Sequence, residues 1–167
     1  MFHIVLHEPE IPNNTGNIGR TCVALGMSMR LIHPIGFDLD DHSVRRAGLD
    51  YWPRLDLTEH ANWPAYETGS PGARRWLLTT RTDRTLYDAD LRPGDHLVFG
   101  KESAGLPAHL VDRADSAPGW SAACLPMRSG ERSLNLATAV AVVAYEGVRQ
   151  CLARGDASLD GAGRLLP

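Results

Sequence analysis

The sequence is poor in cysteine, and the cysteines that it has share no ligand spacing. Cys22, Cys124 and Cys151 are odd in number, and no two of them lie close together in the chain. A disulfide framework needs paired cysteines, and a zinc site needs clustered thiol or imidazole ligands. The cysteine content therefore argues against a disulfide-stabilised domain and a zinc site, and we expect no metal.

Long hydrophobic runs are missing too. The longest, residues 139–145, is far shorter than the roughly 20 apolar residues that span a bilayer. The first residues, MFHIVLHEPE, carry no basic stretch and reach Glu8 too early for a secretory signal. From these two absences we expect a cytoplasmic protein.

Lysine is almost absent, because Lys101 is the only lysine among 17 basic residues. The net charge of −3 does not favour a protein that coats nucleic acid non-specifically. The bias towards arginine has two explanations, which are the base composition of the source genome and the suitability of guanidinium groups for phosphate contacts.

Familiar nucleotide and hydrolase motifs are missing as well. A Walker loop needs Ser or Thr after Gly-Lys, but Glu102 follows Lys101. Gly16 and Gly19 do not supply the G-x-G-x-x-G dinucleotide fingerprint. No Gly-x-Ser-x-Gly elbow marks an acyl-transfer nucleophile. These absences disfavour P-loop enzymes, dinucleotide-dependent dehydrogenases and serine hydrolases.

Short apolar segments alternate with helical patterns along the chain, which predicts one α/β domain with a mainly parallel sheet flanked by helices. The domain is placed at residues 1–154, and the Gly- and Ala-rich tail at 155–167 is expected to be flexible. Predicted strands are 3–7, 29–33, 54–57, 75–80, 96–100 and 121–125. Predicted helices are 18–25, 40–48, 58–67, 106–114 and 134–152.

Three polar, glycine-bearing loops follow predicted strands, at residues 13–19, 100–107 and 126–133. Ligands of parallel sheets bind beyond the carboxyl ends of the strands, so the site is expected at these loops. Ser133 is expected to cap the last helix, whose apolar residues cover nearly its whole circumference. Such a helix is predicted to be buried on most sides, either threaded through the core or pressed between the core and a partner, with Ser133 and Asn135 at its exposed tip.

The segments IPNNTGNIGRTC, LVFGKESAGLP and LPMRSGERSLNLATAVAVVAYE resemble the three signature motifs of the SPOUT superfamily of RNA methyltransferases. These enzymes depend on S-adenosyl-L-methionine (AdoMet), and the resemblance is to the 2′-O-ribose branch. EPEIPNNTGNIGR, GFDLDDHSVRRAGLDYW and FGKESAGLP are most similar to its small members, which modify the wobble nucleotide of tRNA. The resemblance covers about residues 1–152.

This resemblance implies that the C-terminal segment forms a trefoil knot and that two subunits of a homodimer share each active site. AdoMet would lie in the knot, and Gly100 would let the ligand approach the backbone closely. The residues expected to line its pocket are Leu78, Thr79, Gly100, Leu125, Met127 and Ser133.

The resemblance assigns Arg20 to the substrate. An arginine is a poor base, since its pKa lies above about 12, so we expect Arg20 to grip a substrate phosphate. The alternative is a solvated helix arginine. Asn14 and Asn17 suit a turn without any further function, whereas the resemblance implies that Asn14 contacts RNA or the ribose.

Glu102 has two possible roles. It could act as a general base, or it could accept N–H groups of its own loop and hold that loop rigid. Loop support or a dimer contact is the preferred interpretation. The resemblance places Ser133 and Asn135 near the site of methyl transfer.

Four arginines are candidate RNA contacts, with surface charge as the alternative. Arg128 and Arg132 would guide tRNA, and Arg45 and Arg46 would grip the anticodon stem. Larger relatives of this kind carry an extra RNA-binding domain, so this shorter chain would have to recognise tRNA without one.

The sequence thus predicts a cytoplasmic, knotted homodimer that methylates the 2′-hydroxyl of a tRNA nucleotide. Two alternatives stay open at this point. The first is a 2′-O-methyltransferase for ribosomal RNA or another tRNA position, and the second is a non-catalytic RNA-binding module on the same fold.

Overall fold

A computed structural model of the chain describes residues 1–37 and 50–166. Arg45, Arg46 and the predicted helix at 40–48 lie outside the described residues. The strands are β1 (His3–His7), β2 (Ser28–Ile32), β3 (Leu57–His60), β4 (Arg75–Leu78), β5 (His96–Phe99) and β6 (Trp120–Ala123). The α-helices are α1 (Pro12–Leu25), α2 (Trp63–Gly69), α3 (Ala108–Val111) and α4 (Leu136–Arg154). Short 3-10 helices span Trp52–Arg54 and Leu86–Asp88.

The six strands form one sheet in the order β3-β2-β1-β5-β4-β6, and every neighbouring pair is parallel. In the centre, Ile4 of β1 lies between Met29 of β2 and Leu97 of β5. The predicted α/β architecture with a mainly parallel sheet is therefore confirmed. The strand order reverses direction between β1 and β5, and the carboxyl ends at such a position are where open α/β sheets bind ligands.

Both faces of the sheet are buried, as a parallel sheet requires. Successive side chains of a strand point to opposite faces. Accordingly, Ile4 and Leu6 join one core cluster with residues of α1 and α4, whereas Val5 joins a second cluster under α2 and α3. Gly147 lets α4 lie against the first strand, because a Cβ there would come within 2.7 Å of the Phe2 ring.

The first helix begins earlier than predicted. Residues 13–17, expected in a loop, belong to α1, which starts at Pro12. Proline suits the first turn, since its missing N–H would lack a helical partner there in any case. Ile11 at the N-cap offers no side-chain acceptor, and the sequence around it therefore gives no capping signal. The predicted end is confirmed, because Gly26 closes the helix in the left-handed conformation with φ 61°.

The region after residue 54 was predicted wrongly. Of the predicted strand 54–57, Arg54 ends the 3-10 helix, residues 55 and 56 have no regular structure, and Leu57 starts a strand. Residues 58–60 continue this strand and do not start a helix. Strand β3 pairs with β2, which places Thr58 beside Arg30. Helix α2 starts later, where the Asn62 side chain accepts a hydrogen bond from Ala65 N at 2.9 Å.

The last helix differs from the prediction at its cap, and one of its faces is open within a single chain. Asn135, not Ser133, is the N-cap, because its Oδ1 accepts hydrogen bonds from the backbone N–H groups of Ala137 and Thr138. The helix is not buried on most sides within one chain. Val140 is fully buried, but Val142 and Tyr145 are 41% and 58% exposed.

Helix α4 is also the one helix in the described part of the chain that is long and apolar enough to cross a membrane. Its inner face packs in the first core cluster through Val140, Val143 and Ala144, so length and composition alone do not identify a membrane span. Beyond it, Leu159 and Leu165 form an isolated bridge that closes a turn organised by Asp160. The expected flexibility of this tail stays a prediction.

Candidate active site

A cavity of about 660 Å³ opens at the carboxyl ends of β4, β5 and β6. Three segments form most of its wall, namely residues 78–81, 99–106 and 125–139, and the start of α1 adds Ile11 and Asn14. Two of these segments overlap the predicted loops 100–107 and 126–133. The rule that ligands bind beyond strand ends therefore located the cavity from the sequence.

All six residues expected to line the AdoMet pocket do line this cavity, and so do four further predicted site residues. Their contacts with a ligand stay a prediction. The first group is Leu78, Thr79, Gly100, Leu125, Met127 and Ser133, and the second is Asn14, Glu102, Arg132 and Asn135.

Glu102 binds the start of α1 through three hydrogen bonds. Its Oε2 accepts from Glu10 N at 2.8 Å, and its Oε1 accepts from Ile11 N at 3.3 Å and from Asn14 Nδ2 at 2.8 Å. The positive end of the helix dipole favours a carboxylate at this position. Glu102 thus caps α1 from a distant loop. The expectation that it accepts N–H groups of its own loop is therefore wrong in its donors, and a role as general base stays untested.

The amide of Asn14 joins this carboxylate to the last helix. Asn14 Nδ2 donates to Glu102, and Asn14 Oδ1 accepts from Asn135 Nδ2 at 2.9 Å. Asn135 in turn caps α4 with its Oδ1. The side chains therefore form one chain of hydrogen bonds from the loop after β5, through the first helix, to the start of the last helix. Asn14 is 5% exposed, so the middle of this chain is shielded from water, whereas Glu102 is half-buried and Asn135 is exposed.

Two further side-chain contacts join the loop after β5 to the segment between β1 and α1. Lys101 Nζ donates to Glu8 Oε2 at 3.1 Å, while the Ser103 hydroxyl and backbone N–H both donate to the Glu10 carboxylate, at 2.8 and 2.9 Å. These hydrogen bonds from Ser103 lower the pKa of Glu10. Glu8 also has a positive φ of 52°, a backbone conformation that is uncommon for a residue with a side chain.

Gly100 lines the cavity, but its need for glycine comes from its own loop. A Cβ at this position would lie 2.0 Å from the Gly105 carbonyl carbon and 2.2 Å from Leu106 N. The expected reason, close approach of a ligand to the backbone, is therefore not the main constraint. Glycine allows the loop after β5 to fold back on itself, as the bridge between Lys101 and Gly105 also shows.

Arg20 and Arg128 do not line the cavity. Arg20 projects from α1 as an exposed side chain, and its Cζ lies 4.8 Å from the centroid of the Tyr51 ring. Arg128 and Arg132 are both exposed on the loop before α4, and Arg132 is the one that reaches the cavity wall. Asn17 is exposed on α1.

Sequence reasoning missed several wall residues, among them Ile11 and Thr80. Thr80 lies two residues after the end of β4, so the strand-end rule could have identified it. Arg81 matters because it adds a third cation to the wall, beside Lys101 and Arg132. Within residues 1–37 and 50–166, no group of three His, Cys, Asp or Glu side chains could hold a metal ion.

The wall has two chemical characters. Leu78, Phe99, Leu125 and Leu136 offer apolar contacts, whereas Lys101, Arg132 and the Asn14 amide offer polar and charged ones. Such a cavity suits a ligand that has a flat apolar part and an ionised part.

Comparison with known proteins identifies the class to which this fold and cavity belong. The sequence profile of the SpoU rRNA Methylase family matches residues 1–145, and the chain belongs to this family.

Two similar proteins that match nearly the full chain are named tRNA (cytidine(34)-2'-O)-methyltransferase. The protein from Burkholderia ambifaria is 45% identical over 94% of this chain and 100% of its own length. That from Escherichia coli (strain K12) is 42% identical over 90% of this chain and 94% of its own length. A solved structure described as "Structural insights into the 2-OH methylation of C/U34 on tRNA" is 46% identical, with a TM-score of 0.84 over 92% of this chain and 98% of that one.

A more distant structure shares the fold alone. An AdoMet-bound rRNA methyltransferase from Sinorhizobium meliloti is 24% identical, with a TM-score of 0.76 over 90% of this chain and 57% of that chain.

Proposed function

We propose that this chain is a tRNA methyltransferase that transfers the methyl group of AdoMet to the ribose 2′-hydroxyl of nucleotide 34, the wobble position. The observation that carries the proposal is identity above 40%, over at least 90% of both chains, to proteins named for this reaction. The cavity at the strand ends supports it, because the predicted AdoMet residues come together there from three separate segments.

The cavity suits the chemistry of the methyl donor. AdoMet supplies an activated methyl group on sulfur, and the 2′-oxygen displaces this sulfur in line as it loses its proton. The apolar side chains of Leu78, Leu125 and Leu136 would hold the adenine. Lys101 or Arg81, which also line the cavity, would bind the carboxylate of AdoMet. Binding both reactants in one orientation is a large part of what such a site contributes to the rate.

The Asn14–Asn135 pair would orient the ribose. Each Nδ2 has two N–H groups, and the hydrogen bonds within the described residues use one of them. The second N–H of each amide can therefore donate to a ribose or methionine oxygen. Because both amides are fixed by Glu102 and by the α4 cap, these donors would be held in place before the substrate arrives.

Arg20 would hold a phosphate of the bound nucleotide. Its side chain is exposed, and its planar group of donors matches phosphate oxygens. Arg128 and Arg132, together with Arg45 and Arg46, would add contacts to the anticodon arm. The identity of the catalytic base stays open, since the contacts of Glu102 give it a structural task.

We infer a homodimer from the outer face of α4. Val142 and Tyr145 are exposed on this helix, and Leu134 just before it is 44% exposed. An apolar helix face of this kind favours burial against a partner. A second copy placed here would lie next to the start of α1 and could complete the site from across the interface, as the shared active sites of the sequence prediction require.

We also infer that the closing segment is threaded as a trefoil knot. The connection between β4 and β5 is bonded to two parts of it. Leu86 N donates to Cys124 O at 2.8 Å, and Leu91 N donates to Gln150 Oε1 at 2.9 Å. Residues 79–95 therefore contact Cys124, before the loop that leads into α4, and Gln150, within α4. A loop that encircles the chain between these two residues would make contacts on both sides in this way. A crystal structure with this passage lying outside the loop would refute the knot.

The function is tested by incubating the purified protein with labelled AdoMet and with tRNA from cells that lack the gene. We expect label in tRNA and 2′-O-methylation at nucleotide 34 in mapped digests. We also propose that the enzyme is located in the cytoplasm with its substrate. Methylation of ribosomal RNA or of another tRNA nucleotide would refute the assignment to position 34. Binding of AdoMet and tRNA without any turnover would refute an enzyme and support a binding module.

A further inference from the structure

Tyr51 contacts α1 from a segment that is distant in sequence. It lies at the N-cap of the 3-10 helix Trp52–Arg54 and is 3% exposed. Its hydroxyl donates a hydrogen bond to Gly16 O. Burial raises the pKa of this hydroxyl, and the nearby charge of Arg20 opposes that effect. A raised pKa keeps the hydroxyl protonated, so it remains a donor at neutral pH.

The same ring also lies under the Arg20 guanidinium, whose Cζ is 4.8 Å from the ring centroid. Gly16 and Arg20 are four residues apart in α1, so they lie one above the other on the same helix face. Tyr51 therefore contacts this face twice, once at the backbone with its hydroxyl and once at the guanidinium with its ring.

Gly19 explains how the segment comes so close to the helix. A Cβ at this position would lie 3.1 Å from the Trp52 ring and 3.2 Å from Leu55 Cδ2. These distances are shorter than ordinary contacts between side chains. Glycine thus allows Trp52 and Leu55 to pack directly on the α1 backbone, and this packing sets the position of Tyr51 beside them.

The kind of contact matters for Arg20. A carboxylate partner would occupy the N–H groups of the guanidinium and neutralise its charge. An aromatic face attracts the cation through its quadrupole and accepts none of these N–H groups in the plane of the guanidinium. The Tyr51 hydroxyl can take one of these N–H groups, which also opposes the rise in its pKa. The ring can therefore fix the orientation of Arg20 while most of its five N–H donors stay available to a phosphate.

We propose that Tyr51 is a positioning residue for the methyl-transfer reaction, whose buried ring orients the Arg20 guanidinium towards the RNA. This inference rests on the proposed function, in which Arg20 holds a substrate phosphate. Tyr51 lies in the segment GFDLDDHSVRRAGLDYW, to which the sequence analysis assigned no role for this residue. The inference gives Tyr51, and the conformation of residues 50–55 that positions it, a task in the reaction.

A double-mutant cycle tests this role. The variants are Tyr51→Leu, Arg20→Ala and both together, assayed for kcat and KM with tRNA and for the Kd of AdoMet. We expect Tyr51→Leu to lower kcat about ten- to a hundredfold, the range that misplacement of a distant group produces, with the Kd of AdoMet unchanged. In the Arg20→Ala background the same change should have little further effect, because a positioning residue acts through its partner.

Two matched controls accompany the cycle. Tyr87→Leu makes the same replacement at a tyrosine that is 69% exposed and outside the cavity wall, and it should leave kcat unchanged. Tyr51→Phe keeps the ring under Arg20 and should retain most of the activity. Because phenylalanine fits the same space, this variant tests the ring even where Tyr51→Leu does not fold.

The outcomes separate the two levels of inference. Additive losses in the double variant, wild-type kcat in folded Tyr51→Leu, or a tenfold loss in folded Tyr51→Phe would each overturn the role of the Tyr51 ring. Arg20→Ala at the wild-type rate would overturn the role of Arg20, and with it this inference, while leaving the methyltransferase in place. An inactive wild-type protein would refute the proposed function itself.

Discussion

Asn135 donates a hydrogen bond to Asn14 at 2.9 Å, although the two residues are 121 positions apart in the chain. Each of them lies at the amino end of a helix, and Asn14 is bonded in turn to Glu102. These two contacts thus join the three segments that carry the motifs of the sequence. Several expected outcomes depend on them and on the packing around them.

Asn14→Asp should destabilise the protein. The new carboxylate would face Glu102 Oε1, which now accepts a hydrogen bond from Asn14 Nδ2 at 2.8 Å. Loss of this donor from a buried site costs about 1–3 kcal/mol, and repulsion adds to the loss. Chemical denaturation measures the change.

Asn13→Asp is the matched control, because Asn13 is exposed on the same helical turn. An acid near a helix start is favourable, so this variant should be neutral or slightly more stable. Equal stability of Asn14→Asp and the wild type would show that the contact has no energetic role.

Glu102→Gln should lower stability without changing the shape of the pH–rate profile. The carboxylate accepts from Glu10 N, Ile11 N and Asn14 Nδ2, and an amide must turn its NH₂ group towards at least one of these donors. We expect a loss of about 1–3 kcal/mol in the free energy of unfolding. Complete loss of one limb of the pH–rate profile in a folded variant would instead identify Glu102 as the base.

Gly100→Ala should damage the loop after β5 more than an ordinary glycine replacement does. The added Cβ would lie 2.0 Å from Gly105 C, which is backbone and cannot rotate away. The cost of forcing an extra carbon into a packed site is about 1–3 kcal/mol, and AdoMet binding should weaken with it. Gly161→Ala is the control, since a Cβ there meets nothing within 4 Å. Thermal melting and AdoMet titration of both variants give the comparison.

Tyr145→Arg should prevent formation of the homodimer proposed above. Tyr145 is 58% exposed on the outer face of α4, beside Val142, and a charge buried there without a partner opposes association. Light scattering after gel filtration measures the mass. Tyr87→Arg, at a tyrosine that is 69% exposed elsewhere, should leave the dimer intact. A wild-type protein that is already monomeric would refute the proposed interface.

Stability should fall as the solution is acidified, because of His96. This side chain is 5% exposed, and its Nδ1 is bonded to the Tyr66 hydroxyl at 2.7 Å. Burial, followed by the charges of His3, Arg30 and Arg75, lowers the pKa of His96 from 6.5 to about 3. The unfolded chain therefore binds the proton more readily than the folded one. The contribution of His96 to the free energy of unfolding is therefore complete above pH 6.5. It falls by up to about 1.4 kcal/mol per pH unit as the pH is lowered towards 3.

Denaturation at pH 7.5 and at pH 5.5 checks this expectation. In His96→Gln, the free energies of unfolding at the two pH values should differ less than in the wild type. His109→Gln is the control, since it removes an exposed imidazole on α3 and should leave this difference unchanged. An unchanged pH dependence in His96→Gln would show that other groups cause it.

Some of this structure could be predicted because its causes are local. Strands β1, β4 and β5 are short apolar runs, and their starts were placed correctly. The cavity followed from the strand-end rule. The start of α1 was missed because its cap, Glu102, comes from another loop, and the cap of α4 was placed at Ser133 rather than at Asn135.

The region after residue 50 shows the opposite case. Thr58 has the side chain of a helix cap, but pairing of β3 with β2 overrides this local preference. Tyr51 carries no signal in the sequence that links it to Arg20, since their contact depends on how the segment packs against Gly19. Tertiary packing of this kind cannot be derived from spacing.

The wall of the cavity includes residues up to Ala139, at the capped start of α4. It also includes Asn14 of the first helix, which is bonded to Asn135. During synthesis, a nascent chain that has not yet emerged as far as Ala139 therefore has no complete pocket. Methyl donor in the cell can then stabilise finished molecules but not shorter intermediates, so ligand binding would select for completed folding.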